Sequence, residues 1–304
     1  MPRDALPPVL AAVAGLALFS LMDGLMKAAA LSTGAYAAVL WRNTLGIAVM
    51  AGPWLWRARG VGWPTARRMR VHLARGGVCG VMAVLFFYGL VRVPMAEGIA
   101  LSFIAPLAAL GLAGLFLGEH VGRAAVTGSL LACAGVAVIA SGRIGPAAAV
   151  DQGEGLAGLA AVLLSALLYA VNLVLQRHQA QLAAPEEIAF FQALFVALVL
   201  APGARLAGIA SLPDAHDGLL IAGAAVLAAG SLVLLSWAYA RAEAQRLLPL
   251  EYTAFVWAAI VGWVLFREPV GWRTMAGVVL IVAGCLHALR PRAPASASVP
   301  TLVD

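Results

Sequence analysis

The chain has 304 residues, 63% of them hydrophobic and 11% charged, with a net charge of +6 and a mean hydropathy of +0.94. A soluble domain of that length would need far more polar surface. Apolar runs of about 20 residues, long enough to cross roughly 30 Å of hydrocarbon, recur from end to end, and they are too long and too little alternating for a transmembrane barrel.

Ten helical spans are predicted, near 8–30, 36–56, 73–91, 95–117, 121–140, 156–176, 187–206, 217–240, 245–266 and 271–289. The first reads as an uncleaved span rather than a signal peptide. Arg3 is the only basic residue before it, and the run continues past residue 20 without a cleavage site. Within it, "LFSLMDGLMKAAA" places Asp23 and Lys27, the only lysine, at i and i+4 on one helix face. An ionised side chain at bilayer depth lines a cavity or is paired. Asp23, roughly 6 Å deeper than Lys27 by helical rise, is read as a cavity residue or as the partner of Lys27. Lys27 is read as a binding group or as a lysine snorkelling at the span end.

Arg42, in the "VLWRNTLG" of span two, sits level with Lys27; it either docks a substrate carboxylate or phosphate or bridges Asp23. The segment "RARGVGWPTARRMRVHLAR", read as the loop before span three, carries six arginines including Arg75. With that loop inside, Arg92, Arg143, Arg205, Arg267 and Arg273 face out and Lys27 and Arg42 lie within spans, leaving 13 of the 20 basic residues inside. The positive-inside rule then puts both termini in the cytoplasm. The arginines are thereby explained as topological signal, without nucleic acid.

Further along, Glu97 reads as a solvated helix start, and Glu119 and Glu268 as acids favoured by the dipoles of spans five and ten. Asn172 and Gln176 are polar at depth in span six, Asn172 being the better cavity candidate. Glu251 follows Pro249 in span nine, where a proline-freed backbone is tolerated beside a cavity. It either binds a cation or exchanges a proton, or pairs with Arg246. Cys79, Cys133 and Cys285 lie singly in spans and indicate neither disulfide nor metal. The five histidines sit at loops or span ends, form no HExxH, and no GxxxxGK[ST] occurs, so neither a cofactor nor a catalytic residue is assigned.

Shifted by 149 residues, "FLGEHVGRAAVTGSLLACAGVAVI" falls on "LFREPVGWRTMAGVVLIVAGCLHA", so that Gly128 meets Gly277, Gly135 meets Gly284 and Glu119 meets Glu268. A shift of 150 places Lys27 on Arg177. Two five-helix units, 1–145 and 150–292, are expected, with 293–304 a disordered cytoplasmic tail. Five is odd, so the second unit enters the membrane inverted.

The opening "MDGLMK", the "WRN" of span two, "LFFYGLVRVPMAEGIALSFIAPLAALGLAGLFLGEHV" and "LLPLEYTAFVWAAIVGWVLFREPVGW" resemble the drug/metabolite transporter superfamily in its EamA-type branch. The resemblance implies an all-α membrane protein of ten transmembrane helices, two inverted five-helix repeats around a central cavity. It implies transport of small metabolites, often export, and a cavity drawing on spans one, three, four, six, eight and nine. Tyr88, Phe103, Trp237, Tyr239 and Tyr252 become cavity candidates beside Asp23, Lys27, Arg42, Asn172 and Glu251.

The expected function is a secondary active transporter in a bacterial-type inner membrane, exporting a small polar or amphipathic metabolite by alternating access. A proton is the candidate coupling ion, and the state is monomer or homodimer. The alternative is an uptake or exchange carrier for S-adenosylmethionine-like or vitamin-like compounds. An intramembrane enzyme is the remote alternative.

Overall fold

The computed structural model describes residues 6–105, 108, 123–141, 152–180, 182–209, 212–239, 241 and 250–288. Glu119, Arg143, Arg246, Pro249 and the tail 293–304 lie outside the described residues. Ten α-helices are described: α1 Leu6–Thr33, α2 Ala35–Val61, α3 Ala66–Leu90, α4 Met95–Ser102, α5 Arg123–Ser141, α6 Gln152–Ala180, α7 Pro185–Leu206, α8 Ala215–Tyr239, α9 Ala254–Phe266 and α10 Trp272–Ala288. No strand occurs among the described residues. Spans of α1, α3, α6, α7 and α8 are long and apolar enough to cross a membrane, and α5, α9 and α10 contain shorter apolar stretches.

The turns follow from local chemistry. Gly34, at φ 81°, reverses the chain between α1 and α2 in one residue, a backbone conformation open mainly to glycine. Thr65 follows Pro64 and caps α3 by accepting from the Arg68 amide at 3.5 Å. Helix α3 therefore begins seven residues before the expected boundary of 73. Arg67, Arg68, Arg70 and Arg75, expected in a loop, are helical instead.

Packing between the halves repeats by two-fold exchange. Helix α1 packs along α8 and α6 along α3, while α2 pairs with α7, α4 with α9 and α5 with α10. A Cβ on Gly135 would fall 2.6 Å from the Gly277 carbonyl oxygen, and one on Gly284 would fall 2.5 Å from that of Gly128. These two contacts interchange when each glycine is replaced by its repeat mate, so small residues let α5 and α10 approach equally at both ends. The Ser231 hydroxyl donates to the Gly15 carbonyl at 2.8 Å, and Ser165 to that of Met82 at 3.0 Å. Those four positions also interchange under the repeat. Pro53 in α2 and Pro202 in α7 are a further pair, 149 residues apart.

A core that includes Met22, Met26, Val39, Phe87, Met95, Ala258 and Ile281 draws on both halves. Leu130, Leu164, Val226, Ile260 and Val279 point outward. Apolar side chains exposed in this number on helices of spanning length suit a lipid surround. Below, the terminal face is the end where α1 begins and α10 finishes, and the distal face is the opposite end.

Candidate functional site

Charged and polar side chains follow one another between the two faces. Nearest the distal face, Lys27 is 3% exposed although it lies only about a turn and a half from the end of α1. Its Nζ donates to Glu268 Oε1 at 2.5 Å and to the Val93 carbonyl at 2.9 Å. Glu268 Oε2 accepts from the Met95 amide, at the start of α4, at 2.8 Å. Arg267 sets the carboxylate there. Its left-handed backbone, φ 56°, ends α9 and turns the next amide back onto the Gly262 carbonyl. Thr274 adds a second tie between the halves by donating to Glu97 at 3.2 Å.

These contacts correct three expectations. Lys27 does not snorkel. Glu268 caps α4 of the other half and binds Lys27 rather than serving the dipole of α10. Glu97 is partly buried and bonded rather than solvated.

One turn deeper, Asp23 is 1% exposed; its Oδ2 has no hydrogen-bond partner, and it forms no ion pair among the described residues. The expected bridges to Lys27 or Arg42 are absent. Arg42 is instead an electrostatic neighbour of Asp23, with Nη1 3.5 Å from Met22 Sδ and its guanidinium 5.8 Å above the Phe87 ring.

The terminal half holds a bonded network. Arg75, 2% exposed, donates through Nε to Asn172 Oδ1 at 3.0 Å and through Nη1 to Gln179 Oε1 at 2.5 Å. Cys79 donates to the same Asn172 oxygen at 3.1 Å. Gln179 Nε2 donates to His72 Nδ1 at 2.5 Å, which leaves the proton on Nε2 to be donated to Glu187 Oε1 at 3.1 Å. Phe191 stacks on that imidazole at 4.9 Å, and Arg68 approaches Glu187 at 3.9 Å. Tyr169, on α6, has Asp23, Glu251, Arg75 and Cys79 as electrostatic neighbours.

The remaining candidates divide. Phe103 and Tyr252 meet edge to face at 5.1 Å. Trp237 lies near the terminal face under Arg241, 4.4 Å away, and Tyr88 is an exposed residue under Arg92 at 3.7 Å. Neither belongs to the line. The Tyr239 side chain lies outside the described residues. Two clefts flank the polar line. A distal cleft of about 330 Å³ has Lys27, Arg92, Phe266 and Glu268 in its wall, and a terminal one of about 310 Å³ has Trp54, Arg57, Arg68 and Glu187.

The profile of the EamA-like transporter family matches residues 6–141 and 156–290. The chain belongs to that family. It is 28% identical over 284 residues to the pseudopaline exporter of Pseudomonas aeruginosa, covering 93% of this chain and 96% of that one. It is 27% identical to a riboflavin transporter of Rhizobium johnstonii, covering 81% of this chain and 74% of that one. One crystal structure superposes with a TM-score of 0.61 over 92% of this chain and 96% of that chain, at 23% identity, a likeness of fold alone. The protein is a multi-pass membrane transporter for a small molecule, and its family and relatives are transporters rather than enzymes.

For this EamA-family chain, the residues missed in the sequence are Arg75, His72, Gln179 and Glu187. The histidine was expected at a loop or span end, yet its side chain is fully buried. A signal was present: His72, Arg75 and Cys79 recur at i, i+3 and i+7, one polar stripe interleaved with Gly76 and Gly80. Likewise Asn172 and Gln179 are seven residues apart on one face of α6.

Proposed function

We propose that this transporter moves a small polar or amphipathic metabolite out across a bacterial inner membrane by alternating access, with both termini cytoplasmic. The observation that carries the reading is a line of buried polar groups closed at each end by a different bonded cluster. Lys27, Glu268 and the Val93 carbonyl hold the distal end. His72, Gln179 and Glu187 hold the terminal end. Each cluster joins helices of opposite halves, so rocking the halves breaks one while the other stays closed. Between the two, Asp23, Arg42, Asn172 and Glu251 meet the substrate, with Phe103 and Tyr252 as apolar wall.

Asp23 is the coupling group in this reading. A buried carboxylate without an ion pair is costly when charged, and a proton removes that cost. The test has two stages. Thermal stabilisation of detergent-purified protein across a metabolite panel identifies a ligand, and proteoliposomes then accumulate it under an imposed pH gradient. Accumulation that follows the gradient in wild type and is lost in Asp23→Asn is expected. Transport indifferent to the gradient overturns proton coupling, and flux in both directions fixes the working direction.

A further inference from the structure

Arg75 is a buried cation whose bonded partners, among the described residues, are all neutral. Lys27 has Glu268, whereas both of the acceptors bonded to Arg75 are amide oxygens, Asn172 Oδ1 and Gln179 Oε1. Among the described residues no carboxylate lies within ion-pair distance of it. Amide oxygens satisfy N–H groups but do not cancel a charge, and an uncancelled guanidinium in a low-dielectric interior is strongly unfavourable. Two of its five N–H groups are used. The three that remain, one on Nη1 and two on Nη2, form the planar edge that matches an oxyanion.

We propose that Arg75 docks an anionic group of the substrate, a carboxylate or a phosphate, and that Asn172 and Gln179 hold its fork while the site is empty. This rests on the transporter reading above and specifies its substrate class. Docking has a mechanical consequence. Gln179 also donates to His72 at 2.5 Å, and His72 donates to Glu187 on α7. An anion on the free edge of Arg75 shares Nη1 with Gln179 and competes with its amide oxygen for the guanidinium, which weakens the hold on the group that orients the imidazole and loosens the terminal closure. A substrate lacking the anionic group leaves Gln179 in place. Arg75 is thus both a specificity residue and the link from occupancy to opening.

The test pairs ligands that differ by the charge alone: nicotinate with nicotinamide, glutarate with glutaramide, flavin mononucleotide with riboflavin. Melting temperature and affinity are measured on the purified full chain for wild type, Arg75→Lys and Arg75→Gln. Wild type is expected to bind at least one anionic member and not its neutral mate. Arg75→Gln weakens that binding by about thirtyfold or more, and Arg75→Lys, which keeps the charge but not the fork, falls between. The carboxylate and phosphate pairs distinguish the two sources. Failure of every pair to discriminate in wild type, or equal anion affinity in Arg75→Gln, overturns the inference. Flux of a neutral member that Arg75→Gln leaves unchanged overturns it too, while the transporter reading stands. Anion-selective binding without flux of any panel member fails the transporter reading and leaves Arg75 as an anion site.

Discussion

The Glu268 carboxylate reaches Lys27 across 241 residues of sequence and holds the Met95 amide with its other oxygen. One side chain thereby joins α1, the start of α4 and the turn after α9. Lys27 is buried and Glu268 partly so; removing one partner strands the other charge, at a cost of about 1–3 kcal/mol. Lys27→Met and Glu268→Gln should each lower the melting temperature clearly. The double variant should lose less than the sum of the two. Scanning fluorimetry of the four proteins checks this, and simple additivity would show the pair to be uncoupled.

Asp23 should behave in the opposite way. Its Oδ2 has no hydrogen bond and, among the described residues, no cation lies within ion-pair distance, so Asp23→Asn removes a buried charge while Arg42 loses an electrostatic neighbour rather than a bonded partner. Stability should stay level or rise, by up to about 1–2 kcal/mol, while transport is lost. A melting temperature that falls as far as that of Lys27→Met would mean Asp23 is structural.

The contact between α5 and α10 leaves no room for a methyl group. A Cβ on Gly277 would lie 2.7 Å from the Gly135 carbonyl oxygen and 2.4 Å from Ile139. Gly277→Ala should cost about 1–3 kcal/mol through overpacking. Gly218 in α8 has open space where its Cβ would go. Gly218→Ala should be neutral or more stable by about 0.5–1 kcal/mol. Equal effects at the two sites would refute the close approach.

Sidedness rests on the arginine distribution and can be measured on two exposed side chains. Trp63 follows α2 and Leu212 precedes α8, so they belong to opposite faces. In a chain whose three cysteines are serines, Leu212→Cys should react with an impermeant maleimide on intact cells. Trp63→Cys should react only after permeabilisation. The reverse pattern would invert the topology.

The ten helices were legible because hydropathy is recorded in residue type, whereas which helices pair came only from the fold. Gly128, Gly135, Gly277 and Gly284 could be matched in sequence, and the fold places them in contact. The terminal cluster was not legible. His72 and Arg75 stand where hydropathy falls toward a charged segment, and such residues read as loop unless the Thr65 cap is weighed. Their burial comes from α6 and α7, more than 90 residues away, which no local pattern reports. Lys27 was left open between binding and snorkelling for the same reason, since its partner Glu268 belongs to the other half.

The most direct measurement uses Cys79, which is buried between the two closures and bonded to Asn172. With Cys133→Ser and Cys285→Ser in place, its alkylation by an impermeant maleimide is followed in vesicles of each orientation. Glu268→Gln should raise labelling from the distal face alone, and Glu187→Gln from the terminal face alone. Labelling that rises from both faces in either variant, or from neither in both, would contradict two closures that open in turn.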